Sequence, residues 1–177
     1  MFAFHKPRKA VVSRVREGGA ATVFALLPSE VRGWFAVGRL DKDSEGLLLF
    51  SDDARFAQRL MDPGCVAKTY LVTVDGFPRE DDLEPIRRGG LPIAGRPARP
   101  AEVRRLGKAP RGGTRLTVVL HEGRNREIRR LFLAAGFKVR TLVRTAVGPI
   151  PLGDLPAGEG RELTTRQVET LRALVGA

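Results

Sequence analysis

The chain contains little cysteine, tyrosine, tryptophan or histidine, and it has no long apolar run. Its 177 residues include 1 Cys, 1 Tyr, 1 Trp and 2 His. The lone thiol, Cys65, cannot form an internal disulfide, so a reducing cytoplasm is the expected compartment. Because no run of about 18 apolar residues occurs, the sequence contains no candidate for a membrane-spanning helix. The first residues also lack the long apolar segment of a signal peptide.

Acidic residues are scarce relative to basic ones. The chain has 31 Lys+Arg and 20 Asp+Glu, which gives a net charge of +11 and a pI near 11.1. Seven basic residues and two acidic ones lie between His121 and Thr145, so part of the excess is clustered. Such an excess favours a polyanionic partner. A membrane surface is the alternative, but no basic amphipathic helix with exposed aromatic residues supports it, and we expect no membrane partner.

Apolar runs alternate with turn signals along the chain, and strands outnumber helices. The spacing predicts strands at residues 1–4, 10–15, 34–37, 47–50, 68–74, 101–106, 114–120 and 137–143, and a loop at 148–160. It predicts helices at 22–27, 54–61, 80–88 and 124–135, and a last helix after a capping box of Thr164 and Gln167. Because the order lacks a regular strand–helix–strand rhythm, we expect an α+β fold with a mostly antiparallel mixed β-sheet and flanking helices.

A carboxylate, Asp41, lies on a short polar loop between the predicted strands at 34–37 and 47–50. A rigid scaffold can aim such a side chain into a cleft. Two other interpretations exist. Loop aspartates commonly form local turn hydrogen bonds, and the spacing of Asp41, Asp43 and Glu45 imitates the start of a calcium-binding loop. The calcium interpretation is disfavoured because its flanks should be helices and its last ligand a glutamate.

Two further residues are candidates for the same site. Tyr70, the only tyrosine, lies on the alternating strand at 68–74, where it either packs in the core or offers a face for base stacking and a hydroxyl for proton transfer. Arg129 lies at the edge of the apolar face of the helix at 124–135, so its stem can be buried while its head reaches a neighbouring cleft. We expect Arg126 and Arg130, which point further outwards, to contact phosphates.

Five segments, in this order, resemble the pseudouridine synthases that act on ribosomal RNA. Residues 6–7 (KP) are similar to the opening motif, and residues 38–48 (GRLDKDSEGLL) to the catalytic loop. Residues 68–70 (KTY) and 122–130 (EGRNREIRR) are similar to the second and third motifs, and the run at 142–163 to the family's ending. The resemblance covers nearly the whole chain.

The resemblance implies a role for each matching residue. Asp41 would be the catalytic aspartate, Tyr70 would stack on the uracil and assist proton removal, and Arg129 would pair with the aspartate. Many members have His-Gln where this chain has Arg126-Glu127, which leaves Arg129 in register. The residues implied in support of the site or in RNA binding are Lys6, Arg39, Lys68, Arg124, Arg126, Arg130 and Arg144.

The implied activity is the isomerisation of a uridine to pseudouridine, which requires no cofactor and no metal. The resemblance implies one catalytic domain over residues 1–177, with one or two lobes around a central active-site cleft. Since the Lys-Pro motif begins at residue 6, we expect no N-terminal RNA-binding domain, as in the short large-subunit branch. The expected substrate is 23S rRNA, with 16S rRNA as the alternative, and a monomer is the default. Charge alone would also fit a non-catalytic rRNA-binding or ribosome-assembly protein.

Overall fold

A mixed β-sheet of nine strands forms the centre of the computed structural model, which describes residues 1–16 and 18–176. Its strands are β1 (Phe2–Lys6), β2 (Phe35–Val37), β3 (Glu45–Ser51), β4 (Lys68–Val74), β7 (Glu102–Lys108), β8 (Thr114–Leu120), β9 (Val139–Val147), β10 (Ile150–Pro151) and β11 (Gly160–Glu162). A separate hairpin consists of β5 (Pro92–Ile93) and β6 (Arg96–Pro97). The helices are α1 (Val23–Leu26), α2 (Ala54–Met61), α3 (Glu80–Arg88), α4 (Glu127–Ala134) and α5 (Thr165–Val175).

The strand order is β11-β1-β3-β9-β4-β8-β7, with β2 paired to β3 and β10 paired to β9. In the part of the chain that the structure describes, β3 and β9 form the one parallel pair of this sheet, and the other pairs are antiparallel. This confirms the prediction of an α+β fold with a mostly antiparallel mixed sheet and flanking helices. Among the described residues, no helix has both the length and the apolar character that crossing a membrane requires.

Both faces of the sheet are covered, because β3 is apolar on both sides. Leu48 and Phe50 point to a core that includes Tyr70 and the buried face of α4. Leu47 and Leu49 point to a second core, which α2 and α5 cover. A strand buried on both faces has a continuous apolar run instead of alternation, as Leu47 to Phe50 shows.

The predicted strand at residues 10–15 is wrong. Only Val11 forms a bridge there, an isolated parallel one to Thr22. The neighbouring strand β1 already pairs with β11 on one side and β3 on the other, so residues 10–15 cannot pair with it as a further strand. The apolar run Ala10 to Val12 is buried in the core without joining the sheet.

Other boundaries differ by a few residues. Helix α4 begins three residues later than predicted, because Arg126 has a left-handed backbone with φ of 53°. Strand β9 continues to Val147 instead of ending at Val143, and the predicted loop at 148–160 contains β10 and the first residue of β11. The capping box of Thr164 and Gln167 is confirmed.

The parallel contact between β3 and β9 is short and close. It consists of two residue pairs, Glu45 with Val143 and Gly46 with Arg144. Gly46 has φ of +113°, and a Cβ atom at this position would collide with the backbone of Arg144. Strands β3 and β9 can therefore approach this closely only because residue 46 is glycine.

We expect Gly46→Ala to destabilise the fold by about 2 kcal/mol or more, from backbone strain and steric overlap. For a chain of this length the melting temperature should fall by roughly 4–8 °C. Gly107→Ala is the matched control, because Gly107 has φ of +124° but no atom within 4 Å of an added Cβ. Equal melting temperatures for the two variants would show that the close approach of β3 and β9 does not require glycine at position 46.

Candidate active site

A cleft of about 700 Å³ opens beside the contact between β3 and β9. Its walls come from the loop between β2 and β3, from β4, from β9 and from the segment leading into α4. Seven of the ten site residues predicted from the sequence line it: Arg39, Asp41, Lys68, Tyr70, Arg124, Arg126 and Arg144. The other three, Lys6, Arg129 and Arg130, do not line the cleft.

Asp41 lies on the loop between β2 and β3, which confirms its predicted position. Its backbone carbonyl accepts a hydrogen bond from the Ser44 amide at 3.0 Å, and this bond closes a tight turn. Leu40 is buried next to it, whereas the Asp41 side chain remains 26% exposed. The loop is thus anchored by its apolar residue and presents its carboxylate to the cleft. Strands flank this loop on both sides, so the helices that a calcium-binding loop needs are absent at its ends.

Lys6 lies beneath the loop that carries Asp41 and is completely buried. Its ammonium donates to the carbonyls of Ser44 at 2.7 Å and Pro7 at 2.9 Å. Burial lowers the pKa of Lys6 to about 8, against the opposing attraction of Asp41 and two other carboxylates. At this position Lys6 can support the loop, and its ammonium is kept away from the surface that RNA could reach.

Arg129 approaches Asp41 from helix α4. Its Nε lies 3.9 Å from Oδ2 of Asp41, and its side chain is only 13% exposed. Two carbonyls hold the guanidinium, that of Val139 at 3.2 Å and that of Asp43 at 3.3 Å. Burial, together with the nearby charge of Arg126, lowers the pKa of Arg129. Arg129 and Asp41 therefore form the ion pair that the resemblance implied, and the two carbonyls hold the guanidinium in place.

Arg126 also reaches Asp41, which the sequence did not indicate. Its Nη1 lies 3.5 Å from Oδ2 of Asp41, while 45% of its side chain is exposed. Its left-handed backbone ends the preceding loop immediately before α4. A non-glycine residue in this conformation is uncommon and often marks a functional site. The spacing of three residues between Arg126 and Arg129 is the signal that would have suggested a shared target.

Tyr70 lies at the boundary between the core and the cleft. It is 8% exposed, belongs to the core cluster on one face of the sheet, and also lines the cleft. On β4 it pairs with Val118 on one side and with Arg144 on the other, where the register shifts between Thr69 and Tyr70. The shift locally bends the strand, as bulges near active sites commonly do.

Two buried cations form the floor of the cleft. Arg144 is 3% exposed; its Nε donates to the Leu47 carbonyl at 2.6 Å, and its buried Nη2 finds no hydrogen-bond partner among the described residues. Lys68 is 9% exposed, and burial followed by the charge of Arg144 lowers its pKa. A buried hydrogen-bond donor without an acceptor destabilises the fold unless a bound ligand accepts its hydrogen bond. The floor of the cleft is therefore suited to an anionic or carbonyl-bearing ligand.

The remaining predicted residues lie at the rim or outside it. Arg39 is exposed. Arg124 donates to the Pro97 carbonyl at 2.8 Å and to Glu122 at 3.1 Å. Arg130 is half-buried and donates to Asn125 at 3.3 Å. Among the residues that the structure describes, no group of three or more His, Cys, Asp or Glu side chains could hold a metal ion.

A buried carboxyl pair, Glu122 and Glu127, anchors the segment before α4, and sequence reasoning missed it. Glu127 Oε2 accepts from the Arg124 amide at 2.9 Å, and Glu122 Oε1 accepts from the Arg99 amide at 3.0 Å. Burial and a hydrogen bond with Glu122 raise the pKa of Glu127 to about 7. Although burial acts in the opposite direction, hydrogen bonds from Glu127, Arg99 and Arg124 lower the pKa of Glu122.

The raised pKa of Glu127 favours its protonated form, whereas the lowered pKa of Glu122 favours the carboxylate. Oε1 of Glu127 is buried and has no hydrogen-bond partner among the described residues, which suits a neutral carboxyl group better than a charged one. The pair fixes the loop that presents Arg124 and Arg126 to the cleft. Nothing in the spacing of two glutamates five residues apart indicates such a contact.

We expect this pair to make stability decrease as the pH rises through 7. The folded-state pKa of Glu127 lies above its ordinary value of 4.5, so its contribution is complete below 4.5 and is lost as the pH passes about 7. Glu127→Gln imitates the protonated group and should flatten the fall of melting temperature with pH between about 5 and 7. The control is Glu169→Gln on the exposed face of α5, which should retain the wild-type slope. An unchanged slope in Glu127→Gln would contradict the raised pKa of Glu127.

Comparisons with known proteins agree with this geometry. The model of the family described as RNA pseudouridylate synthase matches residues 1–134. An uncharacterised RNA pseudouridine synthase of Mycobacterium tuberculosis is 41% identical over 179 residues, which cover 98% of this chain and 69% of that protein. The ribosomal large subunit pseudouridine synthase B of Bacillus subtilis is 35% identical, over 98% of this chain and 71% of its own length. The corresponding protein of Salmonella typhimurium is 40% identical, over 99% and 60%.

The fold comparison gives the same result. The crystal structure of a pseudouridylate synthase superimposes with a TM-score of 0.84 and 30% sequence identity, and the match covers 96% of this chain and 72% of the other. The relatives and the fold match cover nearly the whole chain, and the family model covers its first 134 residues. The protein therefore belongs to the RNA pseudouridylate synthase family, whose members are isomerases.

Proposed function

We propose that this protein converts a uridine of the large-subunit ribosomal RNA, 23S rRNA, to pseudouridine, with Asp41 as the catalytic residue. The observation that carries the proposal is the position of Asp41 in the cleft, where its carboxylate lies within 4 Å of both Arg126 and Arg129. The choice of substrate is supported by the relatives that are known as ribosomal large subunit pseudouridine synthases. Residues 1–177 would act as one catalytic domain around this cleft.

The reaction breaks one glycosidic bond and forms another. The bond between uracil N1 and the sugar carbon C1′ is cleaved, the base turns, and C5 bonds to C1′. C5 then loses its proton while N1 gains one, so the composition of the nucleotide is unchanged. An ionised Asp41 beside the sugar either adds to C1′ or removes a sugar proton. Because no group is lost or gained, the side chains in the cleft need only to hold the base and transfer protons.

The arginines hold and orient the Asp41 carboxylate in this proposal. Arg129 is fixed by two carbonyls and keeps its guanidinium beside Asp41. Arg126 approaches the same oxygen, Oδ2, from the solvent side. The second carboxylate oxygen, Oδ1, has no ion-pair contact in the described part of the chain and is the oxygen we assign to the sugar. Two cations on one oxygen thus leave the other for the reaction.

The RNA would present its uridine outside the base stack, because Tyr70, the proposed stacking partner of the base, is only 8% exposed. Tyr70 would stack on the uracil, and its hydroxyl would assist removal of the C5 proton. The buried cations Lys68 and Arg144 would bind the polar groups of the nucleotide. The basic residues at and near the rim of the cleft would bind the flanking phosphates; these are Arg39, Arg124, Arg126 and Arg130.

We expect Asp41→Asn to reduce the rate of pseudouridine formation on 23S rRNA transcripts by more than about 1,000-fold. Its RNA affinity and melting temperature should remain near wild type. The control is Asp43→Asn, because the Asp43 side chain is exposed and only its carbonyl contacts Arg129. Pseudouridines mapped in rRNA from cells with and without the gene would identify the target. If no site in either rRNA depends on the gene, the protein is a non-catalytic RNA-binding protein; a dependent site in 16S rRNA would replace the large-subunit assignment.

We expect Tyr70→Phe to reduce turnover by about 100-fold without changing RNA affinity, because proton transfer by one side chain typically contributes that much. The phenylalanine ring retains stacking and packing in the core. Tyr70→Leu serves as the comparison, since it removes the ring and should also weaken RNA binding. Full activity of Tyr70→Phe in single-turnover assays would limit Tyr70 to stacking.

A further inference from the structure

A second, shallower groove of about 350 Å³ lies beside the catalytic loop; we call it the loop groove. Its walls come mainly from two turns, at residues 7–10 and 18–21, and from Lys42. Lys42 lines both the loop groove and the active-site cleft, so the two spaces meet at the residue that follows Asp41. A polymer that enters the cleft would therefore pass along this groove.

The loop groove is basic. Arg8, Lys9 and Lys42 line it, and all three are exposed. None of them takes part in an ion pair with a described carboxylate. Many other basic side chains of the chain are paired, for example Arg87, Arg105 and Arg140. Three exposed cations on one concave surface attract an anion.

The three cations are held next to the catalytic loop by the backbone. The Lys9 amide donates to the Lys42 carbonyl at 2.7 Å, which ties the turn at 7–10 to the loop that carries Asp41. Lys9 adopts a left-handed conformation with φ of 71°, which is uncommon for a residue with a side chain. Arg8 lies close enough to Arg129 for its charge to lower the pKa of Arg129. The groove is thus built from the same backbone that positions the site.

The remaining walls indicate which part of a nucleotide fits. They are mostly small residues, Ala10, Gly18, Gly19, Ala20 and Ala21, together with Pro7 and Leu26. No aromatic residue lines the groove among those described, so it lacks the surface on which a base would stack. Small walls and flexible cations suit a sugar-phosphate backbone that lies close to the protein surface.

We propose that the loop groove binds phosphate groups of the RNA strand adjacent to the target uridine, through Arg8, Lys9 and Lys42. This assignment rests on the proposed function, because it takes RNA as the substrate. Every nucleotide next to the flipped uridine carries a phosphate, and the strand must leave the cleft across its rim. Lys42 lies at that rim. The groove would fix the direction in which the strand leaves the site.

The test uses the double variant Arg8→Gln/Lys42→Gln and the charge-matched control Arg55→Gln/Arg166→Gln. Arg55 on α2 and Arg166 on α5 are exposed, and these helices cover the other face of the sheet. Dissociation constants are measured for a 23S rRNA fragment that the wild type modifies, at several salt concentrations. Each lost phosphate contact on a single strand should reduce the slope of log K against log salt by roughly 0.7, or about 1.4 for two contacts.

At 0.15 M salt this change in slope corresponds to roughly ten-fold weaker binding of the groove variant, and the difference should vanish towards 1 M salt. The control should bind like the wild type. An equal loss in both variants, or a loss that persists at 1 M salt, would overturn the assignment of the groove. If the wild type forms no pseudouridine on any rRNA, the proposed function fails; if it does and both variants bind alike, only the groove assignment fails.

Discussion

The close approach of β3 and β9 at Gly46 is the constraint on which the site depends. Gly46 pairs with Lys6 of β1 on one side and with Arg144 of β9 on the other, and Arg144 in turn pairs with Tyr70 of β4. One row across four strands therefore carries three residues of the proposed site. Because the row is fixed by backbone hydrogen bonds, any separation of β3 from β9 would move Tyr70 away from Asp41. A Cβ atom at Gly46 would force that separation.

Buried charge is concentrated around this row. Lys6, Lys68 and Arg144 are each less than 10% exposed, and burial lowers the pKa of both lysines. Removing charged groups from water costs several kcal/mol each, and replacing them with apolar residues would in general be neutral or stabilising. Such clusters are found where function requires them. The arrangement is consistent with a site that gives up some stability in order to hold cations close to a nucleotide.

The sequence predicted much of the framework, because periodicity and turn residues are local signals. Helices α2 and α3 and strands β4 and β8 have the predicted boundaries, and Asp41 lies on its predicted loop. The parallel pairing of β3 with β9 was not predicted, since it joins residues almost one hundred positions apart. The strand expected at 10–15 failed for the same reason: hydrophobicity shows that Val11 and Val12 are buried, but not whether a strand edge is free.

Within the site, sequence reasoning was most limited where the backbone is unusual. Arg126 was expected on the helix surface, yet its left-handed conformation directs it to Asp41. The carboxyl pair of Glu122 and Glu127 also has no local signal, because it depends on burial and on the Arg99 amide from a distant turn. Both features belong to the segment before α4. This segment departs from regular structure, and irregular segments are where functional residues are commonly held.

The two arginines at Asp41 differ in how firmly they are held, and this difference bears on how RNA enters. Arg129 is 13% exposed and bound to two carbonyls, so it can remain beside Asp41 when the cleft fills. Arg126 is 45% exposed, and in the described part of the chain its side chain is hydrogen-bonded only to Asp41. An incoming phosphate can displace Asp41 from Arg126 at a small cost in free energy, because this ion pair is partly solvated. Arg126 would then pass from Asp41 to the RNA, whereas Arg129 would keep the carboxylate oriented.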